Sequence, residues 1–159
     1  MQHDSHGLTL STDSAAAAQA FDHAVAGYIN YRADAGQRLV PLLTQDPQFA
    51  LAQCLKGYLT MLSYKQANVP LAATSLQEAQ RWPPAATPRE QAHVAALTAW
   101  IDGEPDRASA MWKQIIDAHP RDALAFRLAH FTDFWLGRPD RMLSAVLKVE
   151  PAWSADLPH

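Results

Sequence analysis

The chain has one cysteine, no cluster of basic residues and no long apolar run. Each shortage excludes something. With Cys54 alone, an intramolecular disulfide is ruled out, and a reducing, cytoplasmic setting is expected. Thirteen Lys and Arg stand against 16 Asp and Glu, and the formal net charge of −3 comes without a basic block. Phosphate neutralisation needs a clustered cationic surface, so nucleic acid is not expected as a partner. No apolar window approaches the roughly 18 residues of a membrane span, so no membrane association is expected. The opening MQHDSHGLTLSTDS lacks the basic n-region of a secretory leader. Catalytic signatures are missing as well: no Gly-rich phosphate loop, no Gly-x-Ser-x-Gly, no Cys-x-x-Cys and no His-Glu-x-x-His. Cys54 has no basic neighbour facing it one helical turn away and reads as an inert buried thiol.

What is present is globular. Of 159 residues, 48% are hydrophobic and 18% charged, enough apolar material for a core in a single domain. Alanine-rich segments with apolar spacings of three and four dominate, and no alternating strand stands out. Phe21, Ala24, Val25, Tyr28 and Ile29 share one face, which predicts a helix over 13–31. A shorter one over 35–45 carries Leu39, Leu42 and Leu43. Pro41 there marks either the first turn of a late-starting helix or a kink. Further helices are expected over 48–64 and 69–81. Pro83, Pro84 and Pro88 then break the pattern, and Thr87, Pro88 and Glu90 together form a helix-start signal with a capping box. The remaining helices are predicted from Pro88 to about Asp102, over 105–118, over 122–136 and over 139–148. Residues 1–12 and 151–159 are expected as tails flanking a helical domain at 13–150.

The connections repeat. Residues 103–109 read GEPDRAS and residues 137–143 read GRPDRML, an interval of 34 residues. That is the period of tetratricopeptide helix–turn–helix repeats. Counted from Arg89, the pattern's key positions hold Ala96, Gly103, Ala108, Trp112, Ile115 and Pro120, with only Ile115 larger than the pattern wants. Counted from Ala123, they hold His130, Gly137, Met142, Val146 and Val149. Upstream, Gly57, Ala72, Leu76, Ala79 and Pro84 form a third unit if its turn is longer, and 13–47 a degenerate first. The expected fold is all-α: a right-handed α-solenoid of about four tetratricopeptide-like hairpins, about eight helices in all.

The runs FDHAVAGYINYRADAG, DPQFALAQCLKGYLTML, TPREQAHVAAL, GEPDRASAMW and LAHFTDFWLGRPDRM resemble, in order, the tetratricopeptide repeat protein 38 family. The most specific segment is Thr87, Arg89, Glu90, His93 and Val94. Members of that family are longer, so the resemblance implies a match to its N-terminal part. It implies a helical repeat protein without a well-established activity.

In such repeats the first helix of each pair lines a concave surface. The expected groove residues are Tyr58, His93, Leu97, Trp100, Arg127, Phe131, Phe134 and Trp135. An aromatic groove with one Arg suits a protein or peptide partner, Arg127 taking a carboxylate. A groove of this kind can equally be filled by the chain's own N-terminal helix, by further repeats or by a second copy. The chaperone-tail clamp is absent, because His93, Leu97 and Cys54 stand where it needs Lys, Asn and Arg. The expectation is therefore a non-enzymatic interaction scaffold without cofactor or metal. Met142, Leu143, Val146, Leu147 and Val149 exceed what one inner face requires, which suggests a homodimer through the C-terminal helices. The alternative is a metal-assisted enzyme or small-molecule binder centred on His93, His130 and Asp133, since Glu90/His93 and His130/Asp133 each sit three apart on one helix face.

Overall fold

The structure, a computed structural model, describes residues 1–81 and 86–157. Its described chain is all-α apart from one small hairpin. The helices are α1 (Ala15–Ile29), α2 (Leu39–Gln45), α3 (Ala50–Met61), α4 (Val69–Gln80), α5 (Pro88–Ile101), α6 (Pro105–Ala118), α7 (Ala123–Trp135) and α8 (Pro139–Val149). Single 3-10 turns cover Gln66–Asn68 and Glu150–Ala152. Each helix lies within a few residues of its expected span. No helix among the described residues is long and apolar enough to cross a membrane.

Local chemistry explains the helix starts. The Ser14 hydroxyl accepts from the Ala17 amide (3.1 Å), and the Asp122 carboxylate accepts from Ala125 (2.8 Å). At α5, Thr87 Oγ1 accepts from the Glu90 amide (3.2 Å) while Glu90 Oε2 accepts from the Thr87 amide (2.7 Å), a complete capping box. Prolines begin α5, α6 and α8, where a missing N–H costs nothing. Pro41 follows the same rule. Because α2 begins at Leu39, this proline falls in the first turn.

The two similar turns end their helices identically. At the end of α5, Gly103 N–H donates to Trp100 O (3.1 Å) and Glu104 N–H to Ala99 O (2.9 Å). At the end of α7, Gly137 N–H donates to Phe134 O (3.1 Å) and Arg138 N–H to Asp133 O (2.8 Å). This is the six-to-one plus five-to-two arrangement that satisfies the last carbonyls, and it needs a left-handed residue. Both glycines supply one, at φ +81° and +66°.

Neighbouring helices stack in order: α3 against α4 and α5, α5 against α6, α6 against α7, and α7 against α8. In α3, Gly57 allows the close approach, since a Cβ there would sit 2.6 Å from Leu97 Cδ2. The core is continuous and includes Phe21, Phe49, Leu55, Leu97, Trp112, Ile116 and Leu128. The first helix departs from a simple sequential stack. It contributes Phe21, Ala24 and Val25 to the core and also touches α7, far along the chain.

Two expectations need correction. Residues 1–12 are not a free tail: β1 (Gln2–His3) pairs antiparallel with β2 (Thr9–Leu10), and Leu10 is fully buried. The segment is anchored by polar contacts described below. The C-terminal stretch is anchored as well, since Trp153 Nε1 donates to the Pro120 carbonyl (2.9 Å) and its ring meets His6. Pro83 and Pro84, expected as breakers, lie outside the described residues.

Candidate functional site

The eight residues expected to line one groove fall into two groups. Tyr58, His93 and Leu97 are completely buried and Trp100 nearly so. They do not form an open surface. The reason is that the polar tips of Tyr58 and His93 find their partners inside. Tyr58 Oη donates to the His93 carbonyl (2.7 Å), accepts from Trp112 Nε1 (3.1 Å), and lies 3.1 Å from His93 Nδ1. The other ring nitrogen, Nε2, is 3.1 Å from Asp122 Oδ2, which also accepts from Arg89 Nη1 (3.0 Å). With both tips satisfied, the ring bodies fill the core against Trp100 and Trp112.

Burial alone would raise the Asp122 pKa, but His93, then Arg89 and the Ala125 amide, outweigh it and hold the carboxyl well below its ordinary range. An ionised carboxylate only accepts, so His93 Nε2 carries the hydrogen between them. Burial pushes the Tyr58 hydroxyl well up, so it stays protonated. An Asp–His–Tyr sequence of hydrogen bonds resembles a proton relay. Its members are at most 2% exposed, so it is closed off from solvent.

The relay continues into a clasp on the N-terminal hairpin. Arg89 Nη2 donates to Asp4 Oδ2 (3.1 Å) and to the Thr9 carbonyl (3.3 Å). Glu90 Oε1 accepts from both the amide and the hydroxyl of Ser11 (3.1 and 3.0 Å). The Thr87–Val94 segment that stood out in the sequence thus has internal work: Thr87 caps, Arg89 and Glu90 hold the hairpin, and His93 fills the core.

The residues of the metal alternative do not converge. His93 is engaged as above. Asp133, fully buried, accepts from Ser109 Oγ (2.8 Å) and pairs with Lys113. His130 rests against Phe126, and burial, then the charge of Arg127, pushes its pKa down. No group of three or more His, Cys, Asp or Glu among the described residues is arranged to hold a metal.

The second group lies at the surface. On α7, Arg127, Phe131 and Trp135 are four residues apart and so share one stripe. The Arg127 guanidinium is 4.8 Å from the Tyr31 ring centroid and 5.5 Å from that of Phe131. Phe131 meets Trp135 (6.0 Å), and Trp135 meets both Phe134 (5.7 Å) and Tyr64 (5.8 Å). Phe134 is 59% exposed and Trp135 62%. Beside them runs a cleft of about 470 Å³ walled by Met61, Tyr64, Trp100, Ile101 and Trp135.

Tyr31 and Tyr64 belong to this surface and were not foreseen. Tyr31 and Tyr64 have left-handed backbones, φ +56° and +51°. Tyr31 ends α1 as Gly103 ends α5: Tyr31 N–H donates to Tyr28 O (3.1 Å) and Arg32 N–H to Gly27 O (2.8 Å). Tyr31 occupies the helix-end position that later holds glycine, whereas Tyr64 lies one residue beyond it, three past the end of α3 at Met61. The end of α1 was the available signal. A search for turn glycines passes over it, because a tyrosine there costs about 1 kcal/mol or more of strain. Burial, opposed by the Arg127 charge, raises the Tyr28 hydroxyl well above its ordinary pKa, and its oxygen has no hydrogen-bond partner among the described residues. No protein-family model matches the chain, and no solved structure matches it.

Proposed function

We propose that this chain is a non-enzymatic helical-repeat scaffold of the tetratricopeptide type, related to the tetratricopeptide repeat protein 38 family, and that it holds a protein or peptide partner. The observation that carries this reading is the pair of large rings, Phe134 and Trp135, left more than half exposed beside a cleft of about 470 Å³. Aromatic side chains on a rigid helix supply most of the binding energy at interfaces at small entropic cost. The binding surface in this reading is the outer part of the expected groove, Arg127, Phe131, Phe134 and Trp135, joined by Tyr64. The inner part, Tyr58, His93, Leu97 and Trp100, supports it from the core. The sealing of the Asp122–His93–Tyr58 relay favours a scaffold over an enzyme.

Selection from a displayed peptide library tests this. Enriched peptides should bind Trp135→Ala at least tenfold more weakly than the parent chain, as expected for loss of a central aromatic anchor. Peptides that bind both equally, or no enrichment, would sink the reading.

Self-association is a second reading with its own observation. Leu143, Val146 and Leu147 form an exposed apolar stripe on α8, whose other side buries Ala145 and Val149. Light scattering across a concentration series should give a dimer that Leu143→Glu/Leu147→Glu dissociates. A monomer at every concentration would exclude it.

A further inference from the structure

A second cleft, of about 750 Å³, has walls of Ile29, Phe126, Val146, Val149 and Trp153. Tyr31 and Arg127 also line it. Its size is that of a small-molecule site, and its walls are almost wholly apolar. One charge in it has no opposite charge beside it among the described residues. Arg89, Arg107 and Arg141 all carry ion pairs, whereas Arg127 has none among the described residues. Arg127 is half-buried, and its Nε is buried without a hydrogen-bond partner. Among the described residues its one hydrogen bond is from Nη2 to the Tyr31 hydroxyl. The faces of Tyr31 and Phe131 flank the guanidinium and hold it in place. The strained backbone of Tyr31 (φ +56°) is part of that arrangement. A planar fork with free donors in apolar surroundings fits a carboxylate, which accepts two parallel bonds.

We propose that this cleft binds a small aliphatic carboxylate, its tail along Phe126, Val149 and Trp153 and its carboxylate on Arg127. The walls select a hydrocarbon tail over a peptide. A peptide brings amides that each need a partner when desolvated, and this cleft supplies few polar groups. An alkyl chain brings none. The other charged or titratable groups lining the cleft are Glu150, exposed and not ion-paired with Arg127, and His6, whose ring meets Trp153. The inference shares Arg127 with the partner reading but does not rest on it, since the anchors of that reading are Phe134 and Trp135, which do not line this cleft.

Calorimetric titration with decanoate and with decanol, which shares the tail and lacks the charge, tests it. The parent chain should prefer decanoate by about ten- to a hundredfold, the worth of a charge-assisted bond. Arg127→Met should abolish the preference while still binding both weakly through the tail. Arg127→Lys, which keeps the charge and loses the fork, should retain part of it, and this guards against a misfolded methionine variant. Trp135→Ala should leave decanoate binding unchanged, which separates this site from the partner surface. Equal affinity for decanoate and decanol, a preference that survives Arg127→Met, or no binding of decanoate would overturn the proposal. So would tighter, Arg127-dependent binding of a leucine-ended peptide with a free carboxylate, which would make the site a receptor for chain ends.

Discussion

Replacing Arg89 with methionine would break the contact that joins the N-terminal hairpin to two helices. Arg89 has a side chain 5% exposed, Asp4 7% and Asp122 1%, so all three charges are buried. Removing one partner from a buried ion pair typically costs 3–5 kcal/mol, since the remaining charges stay desolvated. Both carboxylates keep other partners here. Asp122 retains His93 and the Ala125 amide, and Asp4 Oδ1 accepts from the amides of His6 and Leu8. The low end of the range, about 3 kcal/mol, is therefore expected. With a urea dependence of about 2 kcal/mol per molar, the unfolding midpoint should fall by roughly 1.5 M. Limited proteolysis gives a separate readout: cleavage within residues 1–14 should precede cleavage of the helices in Arg89→Met and not in the parent. A midpoint shift below roughly 0.3 M, with protease resistance of the hairpin unchanged, would refute the idea that this clasp holds the N-terminal segment.

Three further outcomes follow from the same geometry. Gly103→Ala and Gly137→Ala should each cost about 1–2 kcal/mol in urea denaturation, purely through the backbone, because nothing lies within 4 Å of an added Cβ at either site. The folded-state pKa of Asp122 is depressed, so its stabilisation is fully present above the unfolded carboxyl value of about 3.9 and is lost as pH falls below it; the midpoint of the parent should drop below about pH 4, and more steeply than that of Asp122→Asn. Cys54 is fully buried, and burial, then the charge of Glu90, pushes its thiol up; it should resist an aromatic disulfide reagent in the folded protein and react once the chain is denatured.

The helices were legible because their signals are local. Ser14, Thr87 and Asp122 cap, Pro88, Pro105 and Pro139 sit where an N–H is dispensable, and Gly103 and Gly137 supply the left-handed residue that ends a helix. Each depends on a few neighbours in the chain. The repeat interval added which ends correspond. The candidate surface was half legible, because the stripe of Arg127, Phe131 and Trp135 follows from spacing on one helix.

The sequence by itself therefore determined where each helix begins and ends and which side chains share a face. Only the tertiary structure decided which faces are covered. Periodicity places Tyr58 and His93 on a stripe but cannot say that Trp112 and Asp122, far along the chain, will satisfy them. Nor does a polar stretch such as residues 1–12 announce that Asp4 and Ser11 have buried partners at Arg89 and Glu90. Burial of a polar group depends on whether a partner reaches it in space, and that is a property of the assembled chain.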